Sequence, residues 1–383
     1  MTTAWACSGV RSTDPPAAAG SIAPRLSQSG NRIVLSWVEP DAAGVPTLRF
    51  ARRDNAAWGA PKTASRGPLL AADSADIPSV VPTSDRGLAA HWTVKRNGSA
   101  HARDLLAAVS GDDGVSWSRP ARPHRDDTES EHGMATILPT GPRDEFGICW
   151  LDGRSGALSD YGEGGTSLYW ADWTGEGFGP EVLLDERVCD CCKTSAALGS
   201  RGPMVAYRDR GEAERRDIAV VRRDGTGWSA PRPARGDGWS LSACPTNGPS
   251  IAARGGHAAV AWFTGADATP SVWTALSADG GTTFGTAVRL DGGAPVGRVE
   301  AAMLADGSTA VVWLERSGKD AEIHVRRVGP DGRLGSPVFV AKTSTARASG
   351  YPTLAAAGDR DVLIAWIETG SPSRIRAATV TLR

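Results

Sequence analysis

A β-rich segment that ends in an aromatic residue recurs seven times along this 383-residue chain. The seven aromatic residues are Trp37, Trp92, Trp150, Tyr207, Trp262, Trp313 and Trp366. They follow one another at intervals of 55, 58, 57, 55, 51 and 53 residues, about the length of one four-stranded sheet with its turns. Self-similarity at a nearly fixed period predicts a repeat architecture in which each unit packs against its neighbours.

A second pattern, Ser-x-Asp-x-Gly-x-x-aromatic, marks a turn late in the repeat. It is complete over residues 110–117 and 277–284, and weaker copies begin at Asp54, Asp172, Asp224 and Asp331. In such a turn the Asp carboxylate is expected to accept hydrogen bonds from backbone amides, and the Gly permits a positive φ. The turn resembles the Asp-box, or BNR repeat. With the repeat spacing, it makes the chain resemble the sialidase-like β-propellers over nearly its whole length.

The resemblance and the seven aromatic strands together predict an all-β fold, a single propeller of seven four-stranded blades over residues 21–383. A six-bladed ring is the alternative. The seventh repeat stops one strand short, at residues 374–382. We therefore expect a strand within residues 3–12 of the N-terminal segment, residues 1–20, to complete the last blade.

Propeller topology converts sequence position into geometry. If each blade runs from strand a at the centre to strand d outside, the d-to-a and b-to-c connections share one face, where propellers usually bind ligands. Four of the six cysteines and two of the six histidines are predicted to lie on this face, around blades 3 to 5: Cys189, Cys191, Cys192, Cys244, His124 and His132.

The cysteine cluster predicts either a metal site or a disulfide. Cys189, Cys191, Cys192 and Cys244, with His132, are the predicted metal ligands. Copper is the first choice because Cu(I) accepts two or three thiolates, and zinc is second because Cys-x-Cys-Cys is not the paired spacing of structural zinc modules. In the alternative, Cys189 or Cys191 bridges to Cys244, or Cys191 bridges to Cys192. One bridge leaves two thiols free, so both hypotheses can hold.

Polar residues on the same face are candidates for acid–base chemistry on an anionic substrate. The predicted catalytic residues are Glu131, His132, Asp152, Arg154 and Arg208, and the predicted ligand-binding residues are Arg210, Trp239 and Asn247. The two arginines of the catalytic set would anchor the anion, and Glu131 or His132 would act as the base. A rim of salt bridges that holds the loops in register is the alternative interpretation.

The resemblance also implies glycoside hydrolysis as an alternative function. Sialidases carry an Arg-Ile-Pro motif in the opening strand, whereas residues 23–26 read Ala-Pro-Arg-Leu here. Tyr351 is the candidate nucleophile, with Arg298 and Arg347 near it in the inferred ring, but no glutamate is clearly paired with it. The preferred function is an exported propeller whose copper site binds or acts on a small anionic ligand. Atypical sialidase activity and a disulfide-stapled propeller that binds carbohydrate or protein are the alternatives.

Charge and the N-terminus set the expected partners and location. The chain has 42 basic and 43 acidic residues, so no overall field attracts nucleic acid or an anionic membrane. No run approaches the roughly 18 apolar residues of a membrane span. Ala6-Cys7-Ser8 looks like the end of a bacterial lipoprotein cleavage site. We expect an extracytoplasmic monomer, periplasmic or lipid-anchored, with a small-molecule or glycan ligand.

Overall fold

The computed structural model describes residues 9–96, 99, 101–156, 165–225 and 227–383. These residues form seven small antiparallel sheets, and the innermost strands of neighbouring sheets contact one another around a ring. The helices in this part of the chain are four short 3-10 segments, and none could span a bilayer: Arg154–Gly156, Glu212–Glu214, Ala266–Ala268 and Arg347–Ser349. The predicted seven-bladed propeller is confirmed.

Blades 1 to 6 are each a consecutive stretch of chain, whereas blade 7 combines the last three strands with one from the N-terminal segment. The strands of blade 1 are Ile22–Ser29, Arg32–Pro40, Pro46–Asp54, Ala57–Trp58 and Lys62–Arg66. Those of blade 2 are Leu70–Ala71, Ser79–Pro82, Leu88–Lys95 and Arg103–Ser110. Those of blade 3 are His132–Pro139, Phe146–Asp152, Thr166–Trp173 and Val182–Val188. An isolated bridge between Ala107 and Ala121 forms the outer edge of blade 2.

The strands of blade 4 are Ser195–Gly199, Gly202–Arg208, Ile218–Asp224, Gly227–Trp228 and Arg232–Pro233. Those of blade 5 are Ser250–Arg254, His257–Thr264, Ser271–Ser277 and Val288–Arg289, and those of blade 6 are Pro295–Met303, Thr309–Ser317, Asp320–Val328 and Val338–Thr343. Blade 7 consists of Thr353–Ala356, Asp361–Glu368 and Arg374–Thr381, with Val10–Ser12 outermost.

The repeated aromatic residue lies on strand b, the second strand of each blade. Trp37, Trp150 and Trp313 are at most 1% exposed because neighbouring blades cover both faces of this strand. A buried indole N–H needs an acceptor. The residue two positions later points the same way along a strand, and its carboxylate accepts that hydrogen bond, as in Trp37 Nε1 to Glu39 (2.6 Å) and Trp313 Nε1 to Glu315 (2.7 Å). This contact explains why an acidic residue follows two positions after Trp37, Trp150 and Trp313.

The two complete turn motifs form the hydrogen bonds that their residues predict. Asp112 accepts from the backbone amides of Val115 (3.1 Å) and Ser116 (2.9 Å). Asp279 accepts in the same way from the two residues that follow Gly281. Gly281 has a φ of +83°, which the turn requires and which a side chain would strain. These contacts stay within the turns, far along the chain from the cysteines, so they serve blade geometry.

The N-terminal segment closes the ring, as predicted. Val10–Ser12 pairs antiparallel with Arg374–Thr381, with Val10 opposite Val380 and Ser12 opposite Ala378. The Thr13 amide extends the pairing by donating to the Ala377 carbonyl at 2.9 Å. Cys7 lies outside the described residues, and the boundary at residue 20 stays a prediction.

Deleting residues 1–15 is expected to lower Tm by several degrees, because it removes the outer strand and leaves the edge of Arg374–Thr381 without its partner. Differential scanning calorimetry measures this directly. The matched control is Arg11→Ala, whose 71%-exposed side chain makes only a 3.8 Å ion pair with Asp361 and should leave Tm unchanged. A deletion variant that melts with the wild type would contradict the role of this strand in closing the ring.

A channel of about 540 Å³ runs between the innermost strands. Glu300 lies in its wall, 5% exposed, and accepts from Arg25 Nη1 at 2.9 Å and from Lys193 Nζ at 2.6 Å. The three residues come from blade 1, blade 6 and the connection that enters blade 4. This ion cluster therefore links strands on opposite parts of the ring.

Candidate functional site

Two connections on the loop face carry four of the cysteines. The cysteine loop, residues 189–194, joins Val182–Val188 to Ser195–Gly199, and the second connection, residues 234–249, joins Arg232–Pro233 to Ser250–Arg254. The first leads into blade 4 and the second leads out of it. Since both run from an outer strand back to the centre, they lie side by side over that blade.

A disulfide joins the two connections. It links Cys191 to Cys244 with the Cα atoms 6.1 Å apart. Of the bridges that the sequence left open, this is the one that the structure contains. Cys191 is half-buried and Cys244 is exposed, so one side of the bridge faces solvent.

Two free thiols lie directly behind the bridge. Cys189 Sγ is 3.7 Å from Cys191 Sγ and 3.5 Å from Cys192 Sγ, and Cys189 and Cys192 are each 1% exposed. The hydrogen bond between the two thiols lowers the pKa of Cys189 to about 7, although burial opposes the shift. Burial raises the pKa of Cys192 well above its usual value. One sulfur of this pair is therefore much easier to ionise than the other.

A cavity of about 460 Å³ opens beside the bridge at the mouth of the channel. Its wall is mostly apolar and includes Cys191, Tyr351 and Met134, with Arg347 and Asp73 as charged members. Met134 and Ala23, which also line it, have φ values of +52° and +53°. Non-glycine residues in the left-handed region are strained, and such strain is common at ligand sites. Both residues lie at bulges of innermost strands.

Tyr351 does not have the surroundings of a nucleophile. It is 3% exposed, its hydroxyl donates to the Thr246 carbonyl (2.9 Å) and it accepts from the Gly248 amide (2.9 Å). Burial raises its pKa further above the usual value. The guanidinium of Arg298 donates to three backbone carbonyls and to Ser349 Oγ. Tyr351 and Arg298 are thus committed to contacts within the protein, whereas Arg347, the third residue expected for sialidase chemistry, is exposed in the cavity wall.

His132 lies in a separate polar cluster between blades 2 and 3. Its Nδ1 is 3.0 Å from the Arg103 carbonyl oxygen and its Nε2 is 2.9 Å from Asp126 Oδ2. Both ring nitrogens are therefore occupied by acceptors within the protein. The expectation that His132 and the cysteines share one metal ion does not fit this arrangement.

His124 stacks on His132, with ring centroids 3.8 Å apart and planes 10° apart. Burial lowers the pKa of His124 to about 4, and the nearby His132 ring adds to the effect. A metal ion binds along a nitrogen lone pair, in the plane of the imidazole. Two parallel, separated planes share no such position, so this histidine pair does not chelate one ion in the observed conformation.

Arg154 and Asp152 form a salt bridge beside the histidines. Arg154 Nε and Nη2 lie 2.8 and 2.6 Å from the two carboxylate oxygens of Asp152, and Nη1 lies 2.7 Å from Glu181 Oε2. Asp152 is fully buried and also accepts from Trp150 Nε1 at 2.8 Å. These contacts match the alternative interpretation, a salt-bridged rim, better than an anion anchor.

Arg208 is buried beneath the two connections. It is 1% exposed, and its guanidinium donates to the carbonyl oxygens of Asn247, Phe263 and Arg216. Trp239 lies against it, with the ring centroid 4.9 Å from Cζ. Because backbone carbonyl oxygens accept the hydrogen bonds of the Arg208 guanidinium, the expected role of Arg208 as an anion anchor does not fit.

The remaining predicted ligand-binding residues also contact the protein itself. Asn247 Oδ1 accepts from the Arg298 amide at 2.6 Å, and its Nδ2 donates to the Val296 carbonyl at 3.2 Å. Arg210 Nε lies 3.0 Å from Glu214 Oε2. Asn247 therefore ties the connection of residues 234–249 to blade 6.

Glu131 keeps properties that suit acid–base chemistry. Partial burial raises its pKa to about 7 against the opposing charge of Arg103, and the carboxylates of Asp76, Asp73 and Asp190 add to the rise. Because 41% of the side chain remains exposed, solvent weakens the effect of burial. A carboxyl group with a pKa near 7 can give or take a proton at neutral pH. The catalytic role of Glu131 stays a prediction.

Sequence reasoning missed the ion cluster of Glu300 and Lys193 and the acidic group around Asp76. Asp76 is 2% exposed and accepts from Thr93 Oγ1 (2.7 Å) and the Met134 amide (2.9 Å). A usable signal existed for Glu300 and Lys193, since a charged residue in or beside an innermost strand must face the channel or find a partner. Nothing in the local pattern distinguishes Asp76 from an ordinary loop aspartate.

The fold defines the class: the described residues form a seven-bladed β-propeller, an architecture that the chain shares with solved sialidase structures. No protein-family model matches it, and no curated protein matches it in sequence.

Several solved structures share the architecture at low sequence identity. The BP39L lectin from Burkholderia pseudomallei is 14% identical with a TM-score of 0.61, over 95% of this chain and 96% of that one. A polysaccharide lyase, the PL25 ulvan lyase, is 12% identical with a TM-score of 0.58, over 97% and 96%. A leech intramolecular trans-sialidase is 11% identical with a TM-score of 0.52, over 90% and 82%. At these identities the likeness shows the fold alone.

Proposed function

We propose that this propeller binds a thiophilic metal ion, Cu(I), at the cysteine loop, with a small anionic ligand in the adjoining cavity. The observation that carries the proposal is the convergence of three sulfurs, Cys189, Cys191 and Cys192, with separations of 3.5 and 3.7 Å from the first to the other two. Thiolates are the ligands that select Cu(I) among biological metals. Zinc is the second choice.

The sulfur spacing is close to what one ion requires. With metal–sulfur bonds of about 2.3 Å, two sulfurs on a tetrahedral ion lie about 3.8 Å apart, and trigonal coordination separates them slightly more. The distances from Cys189 therefore need to change by only a few tenths of an ångström. Because Cys191 is bonded to Cys244, the full three-sulfur set exists only after that bridge opens.

Ionisation of the cysteine loop favours the first step of binding. The thiols lose their protons when they bind the ion. The pKa of Cys189, about 7, makes the first loss cheap at neutral pH, whereas burial raises the pKa of Cys192 well above its usual value and makes its loss costly. Arg347 and Asp73 lie in the cavity wall. The cationic Arg347 side chain supports an anionic ligand there.

Reduced, metal-free protein titrated anaerobically with Cu(I) against a competing chelator is expected to bind one ion per chain. Cys189→Ser should abolish that binding and leave the melting curve of the metal-free protein nearly unchanged. Elemental analysis by plasma mass spectrometry, with free thiols counted on the same sample, gives the stoichiometry.

The matched control is Cys149→Ser. Cys149 is also buried and free, but its Sγ contacts Thr194 Oγ1 (3.5 Å) and the Thr136 carbonyl (3.7 Å) instead of the cluster. This variant should bind copper like the wild type. Equal copper in the two serine variants, or none in the reduced wild type, would overturn the proposal.

A glycan is the second candidate ligand. A lectin, a polysaccharide lyase and a trans-sialidase share this architecture, and Glu131, with its pKa near 7, lies on the same face. Because the sialidase-type residues Tyr351 and Arg298 are engaged elsewhere, the candidate function is glycan binding, or glycan cleavage by a different set of residues.

The disulfide also fits the proposed extracytoplasmic, oxidising location.

A further inference from the structure

We infer that Cys244 is a covalent modification site for a small anionic thiol, and that this reaction releases Cys191 to the neighbouring thiols. The inference deepens the proposed metal-binding function by naming its regulation. It rests on the positions of four groups around the bridge: Cys244, Arg347, Asp190 and Cys189.

Exposure selects the sulfur that is attacked. Thiol–disulfide exchange needs in-line access to one sulfur of the bridge. Cys244 is exposed, whereas Cys191 is half-buried and has Cys189 behind it at 3.7 Å. An incoming thiolate therefore reaches Cys244 first, and Cys191 is the sulfur that leaves.

Arg347 gives the incoming group its charge preference. Its Nη2 lies 4.0 Å from Cys244 Sγ, and its side chain is part of the wall of the 460 Å³ cavity. A thiolate that carries a carboxylate has two negative groups to place near this guanidinium, on the exposed side of Cys244. The cavity itself has Cys191, not Cys244, in its wall, together with the carboxylate of Asp73. Asp190 acts in the opposite sense, since its carboxylate lies within 4.8 Å of both bridge sulfurs. The approach from the Arg347 side is the favourable one.

The reaction balances without a further reactant. The thiolate forms a bond to Cys244 Sγ, the Cys191–Cys244 bond breaks, and its electron pair stays on Cys191. The proton from the small thiol ends on Cys191. One disulfide replaces another, so nothing external is oxidised or reduced.

The released sulfur joins the free thiols. Cys191 is already 3.7 Å from Cys189, which in turn is 3.5 Å from Cys192. The product therefore carries three neighbouring thiols where the starting protein has two and a bridge. The connection of residues 234–249 loses its covalent tie to the cysteine loop at the same time.

The test uses oxidised, metal-free, full-length protein and two small thiols of opposite charge, 3-mercaptopropionate and 2-aminoethanethiol. Non-reducing mass spectrometry follows adduct formation. Trypsin separates residues 188–193, which hold the three clustered cysteines, from residues 236–254, which hold Cys244. We expect the adduct on the second peptide, with the first released carrying three free thiols.

Two substitutions at exposed positions, which remove charges of opposite sign, separate the effect of local charge on the exchange rate from the intrinsic reactivity of each small thiol. Arg347→Gln is expected to lower the ratio of the anionic to the cationic rate about fivefold, and Asp190→Asn to raise it by a similar factor. Comparing this ratio between proteins cancels the different reactivities of the two thiols. An adduct on residues 188–193, or a ratio that neither substitution changes, would overturn the inference.

Copper binding then distinguishes this inference from the proposed function. The purified adduct should bind Cu(I) more tightly than the bridged protein. The adduct of the Cys149→Ser variant should show the same gain in affinity over its own bridged form. An adduct with no gain in Cu(I) affinity overturns the gating role. If chemically reduced protein binds Cu(I) but no adduct forms, the metal site stands and the modification site falls.

Discussion

Replacing Glu300 by alanine is expected to lower the free energy of unfolding by about 3–5 kcal/mol, the usual cost of removing one partner from a buried ion pair. Glu300 is the carboxylate that both Arg25 (2.9 Å) and Lys193 (2.6 Å) contact in the channel wall. Lys193 is 4% exposed, so without Glu300 its ammonium group has neither that partner nor free access to water. The variant leaves an unpaired charge in the ring that the blades share.

Urea denaturation of the variant beside Glu322→Ala measures this effect. Glu322 pairs with His324 at 3.0 Å on blade 6, but its side chain is 26% exposed, and its loss should cost less than about 0.5 kcal/mol. Adding Lys193→Met to Glu300→Ala should recover part of the lost stability, because the second change removes the uncompensated charge. The argument would be contradicted if Glu300→Ala lost less stability than Glu322→Ala, or if the added Lys193→Met substitution recovered none of the loss.

The Glu300 effect also has a defined pH dependence. Burial opposes its ionisation, but Arg25 and Lys193 outweigh burial and hold the pKa of Glu300 below its usual 4.5. A lowered carboxyl pKa contributes stability that is fully present above the unfolded value and is lost as pH falls through the folded value. The difference between wild type and Glu300→Ala should therefore be constant near neutral pH and shrink below pH 4.5.

The fold could be predicted because its signals are local and repeated. Each of Trp37, Trp150 and Trp313 belongs to a short segment whose acid, two positions on, satisfies the indole. Seven β-rich segments that each end in an aromatic residue, at nearly one spacing, specify a ring with little other information. The closing strand followed from counting, because the last repeat was incomplete and Val10–Ser12 was near the other end of the chain.

The site was predictable only where topology alone decides proximity. Cys191 and Cys244 lie on connections that flank one blade, so their meeting follows from blade order. His132 and Arg208 sit at strand ends, where a rotation of the side chain moves it from the open face to the space between blades. Which way it turns depends on partners that are distant in sequence: Arg103, whose carbonyl contacts His132, lies 29 residues from it, and Asn247 lies 39 residues from Arg208. No local pattern encodes those partners.

Innermost strands add a second source of unpredictability. Bulges at Ala23, Met134 and Arg298 insert residues with φ values of +53°, +52° and +57° into strands of blades 1, 3 and 6. A bulge changes which residues face the channel, so simple alternation fails beyond it. The positions of Arg25 and Glu300 in the channel depend on such bulges.

Arg208→Met is expected to cost about 3 kcal/mol of folding stability, because several buried carbonyls would lose a charged donor. The guanidinium of Arg208 serves the carbonyls of Asn247 (2.9 and 2.7 Å) and Phe263 (2.7 Å), which belong to the connection of residues 234–249 and to blade 5. The Arg208 backbone carbonyl also accepts from the Cys189 amide at 2.9 Å. The substitution keeps that backbone bond but releases the connection of residues 234–249, to which the cysteine loop is tied by the Cys191–Cys244 bridge, so the loop should loosen as well.

Thermal melting and the titration of Cys189 provide independent readouts of this variant. The positive charge of Arg208 helps to lower the pKa of Cys189, so that pKa should rise in Arg208→Met, measured by thiolate absorbance of reduced protein. The matched control is Arg333→Met, whose side chain is 90% exposed and should leave both readouts unchanged. Equal melting curves for the two variants would contradict the structural role.

Arg208→Lys tells charge apart from shape. A lysine would keep the positive charge near Cys189 but could not reproduce the planar fork that reaches carbonyls on three segments at once. We therefore expect the lysine variant to be nearly as destabilised as Arg208→Met while its Cys189 pKa stays close to that of the wild type. If lysine restored stability fully, charge alone would hold the connections of blade 4. The carbonyl contacts of Arg208 would then be incidental to the geometry of the cysteine loop.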